Sequence, residues 1–520
     1  MVLEHVFLLQ WLQPATVAGA VRSLWPSGCF LHPIAHVPGP VLAKLSPLWV
    51  MRSLYRGRYN SDLHDLHERY GEARKINFYD VPSVVTTKCS GPVVRIAPNE
   101  LSFASLEAQN EIYTKQEEGG FSKNATFIDF LTGLLFADPT PTLLTVSDID
   151  THKKLRRAVE QAFTPSALSE HGRIQKSHID KAIRRLEECA NDEEVDLGAQ
   201  LDTILWGILA DVTFGEPLTM GKKSTWESLK KVGKALMPII EFLLWSSTFP
   251  GVALILDIIF WVLPYQNTPF SKILSAGKFQ ECLERQNTST RKTFMKAMMN
   301  TQKFGFSFGS DAMIFNVIVL LFTGYQSSSI AAVALFYNIL RNPEIHNKVR
   351  NEVRESFQDE SEISSERLVQ LPLLNSCIRE ALRLLPPANG KTAQRTSPEC
   401  IIAETYVPKG TIVSADVYSI HRSARYFREP DSFRPERWLP VGKRTLFEGD
   451  NRQAYRPFLI GSRACVGKNS ALQSLRLIVA KLLWKLDFEM VNKDFVWERD
   501  AFSSLIYTDY PLVVRTKRAK

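Results

Sequence analysis

A single cysteine near the C-terminal end of the chain has the surroundings of a reactive thiol. Cys465 lies in the stretch 458–467, which reads Phe-Leu-Ile-Gly-Ser-Arg-Ala-Cys-Val-Gly, and a helical pattern follows from 468 to 486. The amides of a helix N-terminus and the nearby cation of Arg463 both favour a thiolate. Glycines on either side let the backbone approach a flat ligand. Such a lone thiolate suits one axial position on a haem iron, whereas the alternative is an ordinary, unreactive buried cysteine.

A basic helical stretch, 152–163, contains a second pair of candidate binding residues. His152 and Arg156 are four residues apart and therefore share one face of the helix. Both side chains can donate hydrogen bonds, and the Arg156 guanidinium adds charge to its bond. The pair could bind an anionic group, or it could belong to a solvated basic face.

A long apolar stretch, 314–340, predicts a buried helix with polar residues at its centre. The stretch 322–328 reads Phe-Thr-Gly-Tyr-Gln-Ser-Ser. Gly324 followed by consecutive hydroxyl residues marks a place where the helical hydrogen-bond ladder is expected to open. Ser327 could relay a proton, while Gln326 could orient water but cannot ionise. The alternative is a core helix with incidental polar residues.

Two further motifs contain an acid and two arginines. Glu380 and Arg383 are three residues apart in the helical stretch 373–385, so they can pair on one face. Arg437 lies in the stretch 433–438, Phe-Arg-Pro-Glu-Arg-Trp. Pairs with the spacing of the first motif are frequent on helices, so these residues gain meaning only together with the other motifs.

Together, and in this order along the chain, the motifs resemble those of the cytochrome P450 superfamily of haem-thiolate enzymes, in particular its fungal microsomal members. The resemblance covers roughly residues 32–515. It implies a mainly α fold with small β-sheets. It also implies a haem b between the helix that contains Gly324 and the helix that follows Cys465, with the Cys465 thiolate as the axial iron ligand.

The resemblance also assigns roles to individual residues. The residues implied to bind the haem are Phe458, Gly461, Arg463, Cys465, Gly467, His152, Arg156, Arg395 and His421. Arg463, Arg395 and His421 would reach a propionate, as would the pair on the 152–163 helix, where a histidine replaces the family's usual tryptophan. Gly324, Gln326 and Ser327 would form the oxygen-activating site, although the family usually has an acid and a threonine at the last two positions. Glu380, Arg383 and Arg437 would form a buried structural triad.

The implied activity is that of a monooxygenase, which inserts one oxygen atom of dioxygen into a lipophilic small molecule of fungal secondary metabolism. Electrons would come from an NADPH-cytochrome reductase, because the chain has no flavin or nicotinamide fingerprint such as G-x-G-x-x-G. The non-acidic Gln326 leaves open a haem-thiolate peroxygenase, isomerase or coupling enzyme. A non-catalytic haem-binding protein is a more distant alternative.

The bulk composition fits this interpretation. The 520 residues contain no low-complexity linker or repeat, so 32–520 is expected to be one catalytic domain, and the protein a monomer. The net charge is +8, but basic clusters alternate with acids, so nucleic-acid binding is not implied. The seven cysteines are scattered and include no C-x-x-C, which indicates a reducing compartment rather than disulfides or zinc.

Four segments have their own interpretation. Residues 1–31 are marginally apolar and are expected to form a weak membrane anchor or an interfacial helix. The catalytic domain would then be cytosolic, at the endoplasmic reticulum membrane. Residues 72–90 separate two stretches that are adjacent in the resembled family, so they are predicted to be a surface insertion or a retained intron of the gene model. The very apolar 237–263 is a predicted lid over a lipophilic substrate, and 127–144 is predicted to line the same pocket.

Overall fold

A computed structural model of the chain describes residues 32–71, 92–114, 120–124, 142–188, 193–215, 230–231, 277–305, 307–440, 442 and 445–519. The predicted anchor 1–31, insertion 72–90 and lid 237–263 lie outside these residues, and so does most of 127–144. The interpretations of those four segments therefore stay predictions.

The described chain is mainly helical. In chain order, its α-helices are α1 Val41–Leu45, α2 Leu48–Tyr55, α3 Tyr59–Leu66, α4 Leu106–Thr114, α5 Ile149–Glu160, α6 Pro165–Glu188, α7 Leu197–Phe214, α8 Gly277–Thr288, α9 Phe294–Met299, α10 Ser310–Leu340, α11 Pro343–Ser356, α12 Ser365–Leu368, α13 Pro372–Leu384, α14 Val417–His421, α15 Lys468–Lys485 and α16 Trp497–Asp500.

The strands are short and form four small sheets. They are β1 Val93–Ala97, β2 Glu100–Phe103, β3 Ser122–Lys123, β4 Glu194–Asp196, β5 Arg395–Thr396, β6 Cys400–Ile402, β7 Thr405–Val407, β8 Ile412–Ala415, β9 Leu486–Met490, β10 Phe502–Ser503, β11 Tyr507–Thr508 and β12 Val513–Arg518. The largest sheet has the order β1-β2-β8-β5-β3, and the others are β4-β12-β9, β6-β7 and β10-β11. The predicted mainly α fold with small sheets is confirmed.

The apolar helix α10 lies at the centre of the helical core. It packs against α7, α9, α13 and α15, and its apolar residues belong to the largest buried cluster. The stretch Ala312–Leu340 is long and apolar enough to cross a membrane, but 61% of its most apolar part is buried inside the protein. A helix that is apolar on all sides and surrounded by other helices is a core helix.

The helix α10 is not interrupted at Gly324, so the predicted opening of its hydrogen-bond ladder is wrong. The hydroxyl of Thr323 donates to the carbonyl of Val319 at 2.7 Å, and that of Ser327 donates to the carbonyl of Thr323 at 2.7 Å. The hydroxyls thus bond to carbonyls of the preceding turn, an arrangement that bends a helix rather than breaks it.

The helix α7 lies against α10 and is defined at both ends by its sequence. The side chain of Asp196 accepts a hydrogen bond from the Ala199 amide at the N-terminus. At the C-terminus, Gly215 has a φ of +76°, a left-handed conformation that favours glycine. Both ends thus have residue types that favour a helix end. The helix between them places Asp202 and Trp206 against α10.

Candidate functional site

The cysteine loop is a closed turn ahead of α15. The amide of Cys465 donates to the carbonyl of Phe458 at 2.9 Å, and the amide of Ala464 donates to the carbonyl of Gly461 at 3.1 Å. Gly461 has a φ of +79°, and a Cβ at this position would lie 2.1 Å from the carbonyl oxygen of Tyr113. Only glycine therefore allows the loop to lie against the end of α4.

The thiol of Cys465 has solvent-exposed surface, although protein fills most of the space around it. Burial raises the pKa of this thiol. The amides of Gly467 and Lys468 oppose that rise, as do the charges of Arg156 and Lys468. The expectation of a lowered pKa is therefore wrong for the protein alone, because desolvation outweighs the helix N-terminus. The cations that favour the thiolate are Arg156 and Lys468 rather than Arg463.

Arg156 connects α5 directly to the cysteine loop. Its Nη1 donates to the carbonyl of Ala464 at 2.6 Å, and its Nε donates to Glu160 Oε1 at 2.8 Å. The hydrogen bond to Ala464 holds the residue immediately before Cys465. Arg156 thus positions the loop in addition to lending it positive charge.

Three cations gather beside the loop. Lys123 on β3 is the cross-strand partner of Arg395 on β5, and Arg463 donates to the carbonyls of Val146 and Ser147 at 2.8 and 2.9 Å. The pKa of Lys123 lies well below its ordinary value because of burial and the charges of Arg463 and Arg395. Burial, followed by repulsion from Arg395, lowers the pKa of Arg463 to about 10. We call Lys123, Arg395 and Arg463 the cation cluster.

Arg395 has hydrogen-bonding capacity that the protein does not use. Its Nη1 donates to the carbonyls of Ala393 and Gln394 at 3.1 and 2.9 Å, and its guanidinium lies 5.3 Å from the centre of the Tyr113 ring. Its buried Nε has no hydrogen-bond partner within the described chain. An unpaired donor in a buried group of like charges is costly, so this pocket is built for an anion.

His152 on α5 is buried and uncharged. Burial is the main cause that lowers its pKa to about 3, and the charges of Arg463, Lys123, Arg156 and Arg395 lower it further. A neutral imidazole beside the cation cluster can still donate one N–H to an anion, without adding a charge.

His421 does not reach this pocket, so its assignment as a cofactor-binding residue is wrong. It lies at the end of the short helix α14. Its Nδ1 bonds to the carbonyl of Arg383 at 3.1 Å, and its Nε2 accepts from the amide of Arg456 at 2.9 Å. Because the backbone uses both ring nitrogens, His421 links α13 to the segment that leads into the cysteine loop.

The structure brings Glu380, Arg383 and Arg437 together in the core. Arg383 donates to Glu380 through Nε at 2.9 Å and Nη2 at 2.8 Å, and Arg437 Nε donates to Glu380 Oε1 at 2.9 Å. The indole of Trp438 also donates to Glu380 at 2.8 Å, and Arg437 forms an ion pair with the buried Asp450. Sequence reasoning did not find these last two partners. The buried charges thus balance as two arginines and two carboxylates.

Gly324, Gln326 and Ser327 lie near the middle of α10. A Cβ at Gly324 would lie 3.3 Å from Leu209 Cδ1 on α7, so the small residue lets the two helices approach closely. Gln326 and Ser327 are partly exposed. The helix α10 also packs against α15, which begins just after Cys465.

Comparison with known proteins identifies the family. A profile described as cytochrome P450 matches residues 85–514. The chain belongs to the cytochrome P450 family. It is 49% identical to the cytochrome P450 monooxygenase tpcB of Cochliobolus heterostrophus, over 94% of this chain and 93% of the relative. It is 49% identical to the cytochrome P450 monooxygenase FUP2 of Fusarium proliferatum, over 95% and 93%, and 34% identical to the sesterfisheric acid synthase of Neosartorya fischeri, over 92% and 91%.

Membership in the cytochrome P450 family makes this chain a monooxygenase and implies a haem-thiolate centre. The residues present fit that group. Cys465 supplies one thiol at a helix N-terminus, and Gly461 keeps the loop close to α4. The cation cluster, with its unpaired Arg395 Nε, suits the two carboxylates of a haem. P450 enzymes generally take electrons from a redox partner and act on a small molecule.

Proposed function

We propose that this cytochrome P450 is a microsomal fungal enzyme that oxygenates a lipophilic intermediate of secondary metabolism, with electrons from an NADPH reductase. The observation that carries the proposal is the juxtaposition of the Cys465 loop and the cation cluster, which suits the iron and the propionates of a haem. The relatives named monooxygenases, and the one named sesterfisheric acid synthase, support a biosynthetic role.

A bound haem supplies dioxygen activation, and Cys465 would be its axial ligand. Arg156 holds the loop through the Ala464 carbonyl and stabilises the thiolate by charge. Lys123, Arg395 and Arg463 would bind the propionates, and neutral His152 would donate one further hydrogen bond. Phe458 and Gly467 complete the loop. The carbonyl of Phe458 accepts a hydrogen bond from the Cys465 amide, and Gly467 is the N-cap of the helix α15.

Gln326 and Ser327 on α10 would handle protons and water for the reaction. The Ser327 hydroxyl donates to the Thr323 carbonyl, so it can accept a hydrogen bond from water and must rotate to donate one. Gln326 can orient water through its amide but cannot supply a proton itself. Proton delivery in this enzyme would therefore depend on a water held between these two side chains.

A basic surface groove supports the proposal that a reductase docks on this protein and donates the electrons. The groove has a volume of 420 Å³ and lies between α13, α15 and the 438–440 segment. The described residues that line it include Arg379, Arg452 and Arg476 and no acid. Burial and the charge of Arg379 lower the pKa of Arg476. Because α15 begins just after Cys465, acidic side chains of a reductase would dock on the thiolate side of the haem.

An exposed apolar surface supports association with a membrane. Val41 is 69% exposed, and Leu42, Leu45 and Leu48 are 39 to 47% exposed, all on α1 and the start of α2. This surface follows closely after the apolar segment 1–31. The two together would hold the catalytic domain at the cytosolic face of the endoplasmic reticulum and admit a lipophilic substrate.

The central test is optical. The reduced protein with carbon monoxide is expected to show the red-shifted absorption band of a thiolate-ligated haem, and Cys465→Ala is expected to lose it. Cys377→Ala, which removes a buried cysteine outside the loop, is the matched control and should keep the band. A normal thiolate band in Cys465→Ala would contradict the ligand assignment.

A second candidate is a haem-thiolate enzyme that uses peroxide, or that isomerises or couples substrates, instead of activating dioxygen. It is favoured by Gln326, which cannot ionise, and by the Ser327 hydroxyl, which is already bonded to a carbonyl. Product formation with NADPH and reductase, but not with hydrogen peroxide, would exclude it. The reverse result would establish it. A haem-bound protein without any oxidised product from a lipophilic library would instead indicate a non-catalytic binder.

A further inference from the structure

Asp202 on α7 is bonded to two successive turns of α10. Its Oδ1 accepts hydrogen bonds from the hydroxyl of Tyr325 and from that of Ser329, the latter at 3.3 Å. Tyr325 and Ser329 are each only 1% exposed. A carboxylate in such a place gains from each donor, because few waters are present to replace them.

Two further residues complete this group. Lys230 Nζ lies 2.9 Å from Asp202 Oδ2 and 5.7 Å from the centre of the Tyr325 ring. The side chain of Ser329 also interacts with the hydroxyl of Tyr510. The carboxylate is thereby paired, charge-balanced and fixed in direction.

Aromatic packing holds the same turn of α10. The Trp206 ring, one turn after Asp202 on α7, contacts Tyr325 edge-on, with 5.0 Å between ring centres. It also contacts Phe322, with 5.6 Å between ring centres. Polar and apolar contacts from α7 therefore converge on residues 322–329 of α10.

The helix geometry shows which side chains depend on the attachment of α10 to Asp202. At 3.6 residues per turn, Tyr325 and Ser329 lie within about 40° of each other around the helix axis, whereas Ser327 lies about 200° from Tyr325. The face that Asp202 holds is thus opposite the face that carries Thr323 and Ser327. A rotation of α10 about its axis would move the Ser327 hydroxyl and the Gln326 amide, and the bonds to Asp202 resist that rotation.

We propose that Asp202 is a positioning residue for oxygen activation, which it serves by fixing, through Tyr325 and Ser329, the rotation of α10 that aims Gln326 and Ser327. This inference rests on the proposed function, since it assigns the opposite face of α10 to the haem. Asp202 itself touches no reacting atom.

The test compares Tyr325→Phe with Tyr337→Phe in the full-length, haem-loaded protein. Both tyrosines are buried on α10 and both hydroxyls form hydrogen bonds: Tyr325 donates to Asp202, and Tyr337 Oη accepts from the Trp497 amide at 3.1 Å. Tyr337→Phe is therefore a matched control, because it removes a hydrogen-bonded hydroxyl from the same helix but away from residues 322–329. Ser329→Ala and Asp202→Asn extend the series.

Three measurements test the proposal. Amide hydrogen exchange in the peptide around 322–329 is expected to be about tenfold faster in Tyr325→Phe, the effect of one lost buried hydrogen bond. In the same variant, imidazole, followed by its absorption shift at the haem, is expected to bind with a several-fold altered Kd. Peroxide released per NADPH consumed with reductase is expected to rise. Tyr337→Phe should change none of the three.

Unchanged exchange and unchanged imidazole affinity in Tyr325→Phe would overturn the proposal. So would equal effects in Tyr325→Phe and Tyr337→Phe, which would show general loosening of α10. If the wild-type protein lacked the carbon monoxide band of a thiolate-ligated haem, the proposed function would fail, and with it the oxygen-side role of Asp202. The exchange comparison would then still report on the attachment of the helix alone.

Discussion

Lys123 and Arg395 lie directly opposite each other on the antiparallel strands β3 and β5. Like charges opposite each other across a strand pair destabilise a sheet, and here both side chains are largely buried. The pair also faces a third cation, Arg463. Such an arrangement is understandable if the pocket exists to bind an anion, and haem carboxylates meet that need.

The first prediction concerns Lys123, which the sequence motifs did not reveal. Lys123→Met should remove repulsion from Arg395 while weakening the binding of haem carboxylates. We expect haem transfer to apomyoglobin to be about tenfold faster, the effect of one lost charge-assisted bond. Lys409→Met, a change of the same type in the exposed turn between β7 and β8, should leave the rate unchanged. Equal rates for wild type and Lys123→Met would remove Lys123 from the site.

The second prediction concerns Glu380. Glu380→Gln leaves Arg383 and Arg437 without a charge that both now share, in a fully buried place. Breaking a buried pair from one side costs about 3–5 kcal/mol of the free energy of unfolding. Thermal unfolding should show a large loss, accompanied by loss of the haem spectrum.

The control for that change is Glu436→Gln. Glu436 lies in the same 3₁₀ turn as Arg437, and its buried Oε2 has no hydrogen-bond partner within the described chain. Removal of its charge should therefore change the stability little. If Glu380→Gln and Glu436→Gln were equally stable, the triad would not have the structural role assigned to it.

The contrast between these residues shows what the sequence could reveal. The cysteine loop, the Glu380 and Arg383 pair and the core helix α10 could be predicted, because each is encoded within one short stretch by spacing, glycine or apolar periodicity. Lys123 could not, because its meaning comes from a two-residue strand that pairs with Arg395, far along the chain. Asp202 escaped notice for the same reason, since its partners lie on another helix.

Two of the corrected expectations also have a local physical cause. The family resemblance placed His421 at a propionate, but its ring bonds to the backbone of Arg383 and Arg456 instead. The glycine and hydroxyls around Gly324 suggested a broken helix. However, these hydroxyls bond to carbonyls of the preceding turn without interrupting the helix, which packs against α7.

The third prediction is a pH dependence of stability. Burial is the main cause that lowers the pKa of His421 to about 3, so its ring stays neutral in the folded protein at pH values where the unfolded chain, with a pKa near 6.5, binds a proton. The unfolded state then holds more protons, so stability falls as the pH decreases from about 6.5 towards 3.

The measurement is chemical unfolding between pH 7 and pH 4.5. His421→Gln should lower stability at neutral pH, since two backbone bonds change, but it should reduce the slope below pH 6.5 by about 1.4 kcal/mol per pH unit. His67 is a second buried histidine whose pKa is lowered to about 3, and His67→Gln should reduce the slope by a similar amount. Slopes identical to wild type in both variants would contradict the neutral, buried state of these rings.

The fourth prediction concerns the arginine groove. Arg379 is exposed on α13, and Arg476 on α15 is held by a 2.6 Å hydrogen bond from its Nε to Asn375 Oδ1. Arg476 is partly exposed, and the described residues that line the groove include no acid, so an acidic reductase surface would be drawn to the two arginines at low ionic strength. Arg379→Glu and Arg476→Glu should each raise the KM for reductase by about tenfold, since rim charges act mainly through association.

Two observations distinguish weaker docking of the reductase from damage to the folded, haem-loaded protein. The kcat at saturating reductase and the carbon monoxide band should be unchanged in both variants, because neither side chain contacts the cysteine loop or the cation cluster. The effect should shrink as salt rises towards 0.5 M, where screening shortens the range of charge attraction to a few ångströms. Lys409→Glu makes the same charge reversal on a surface formed by β7 and β8 and should not alter the KM. An equal KM increase in Lys409→Glu would mean that net charge alone, rather than the groove between α13 and α15, attracts the reductase.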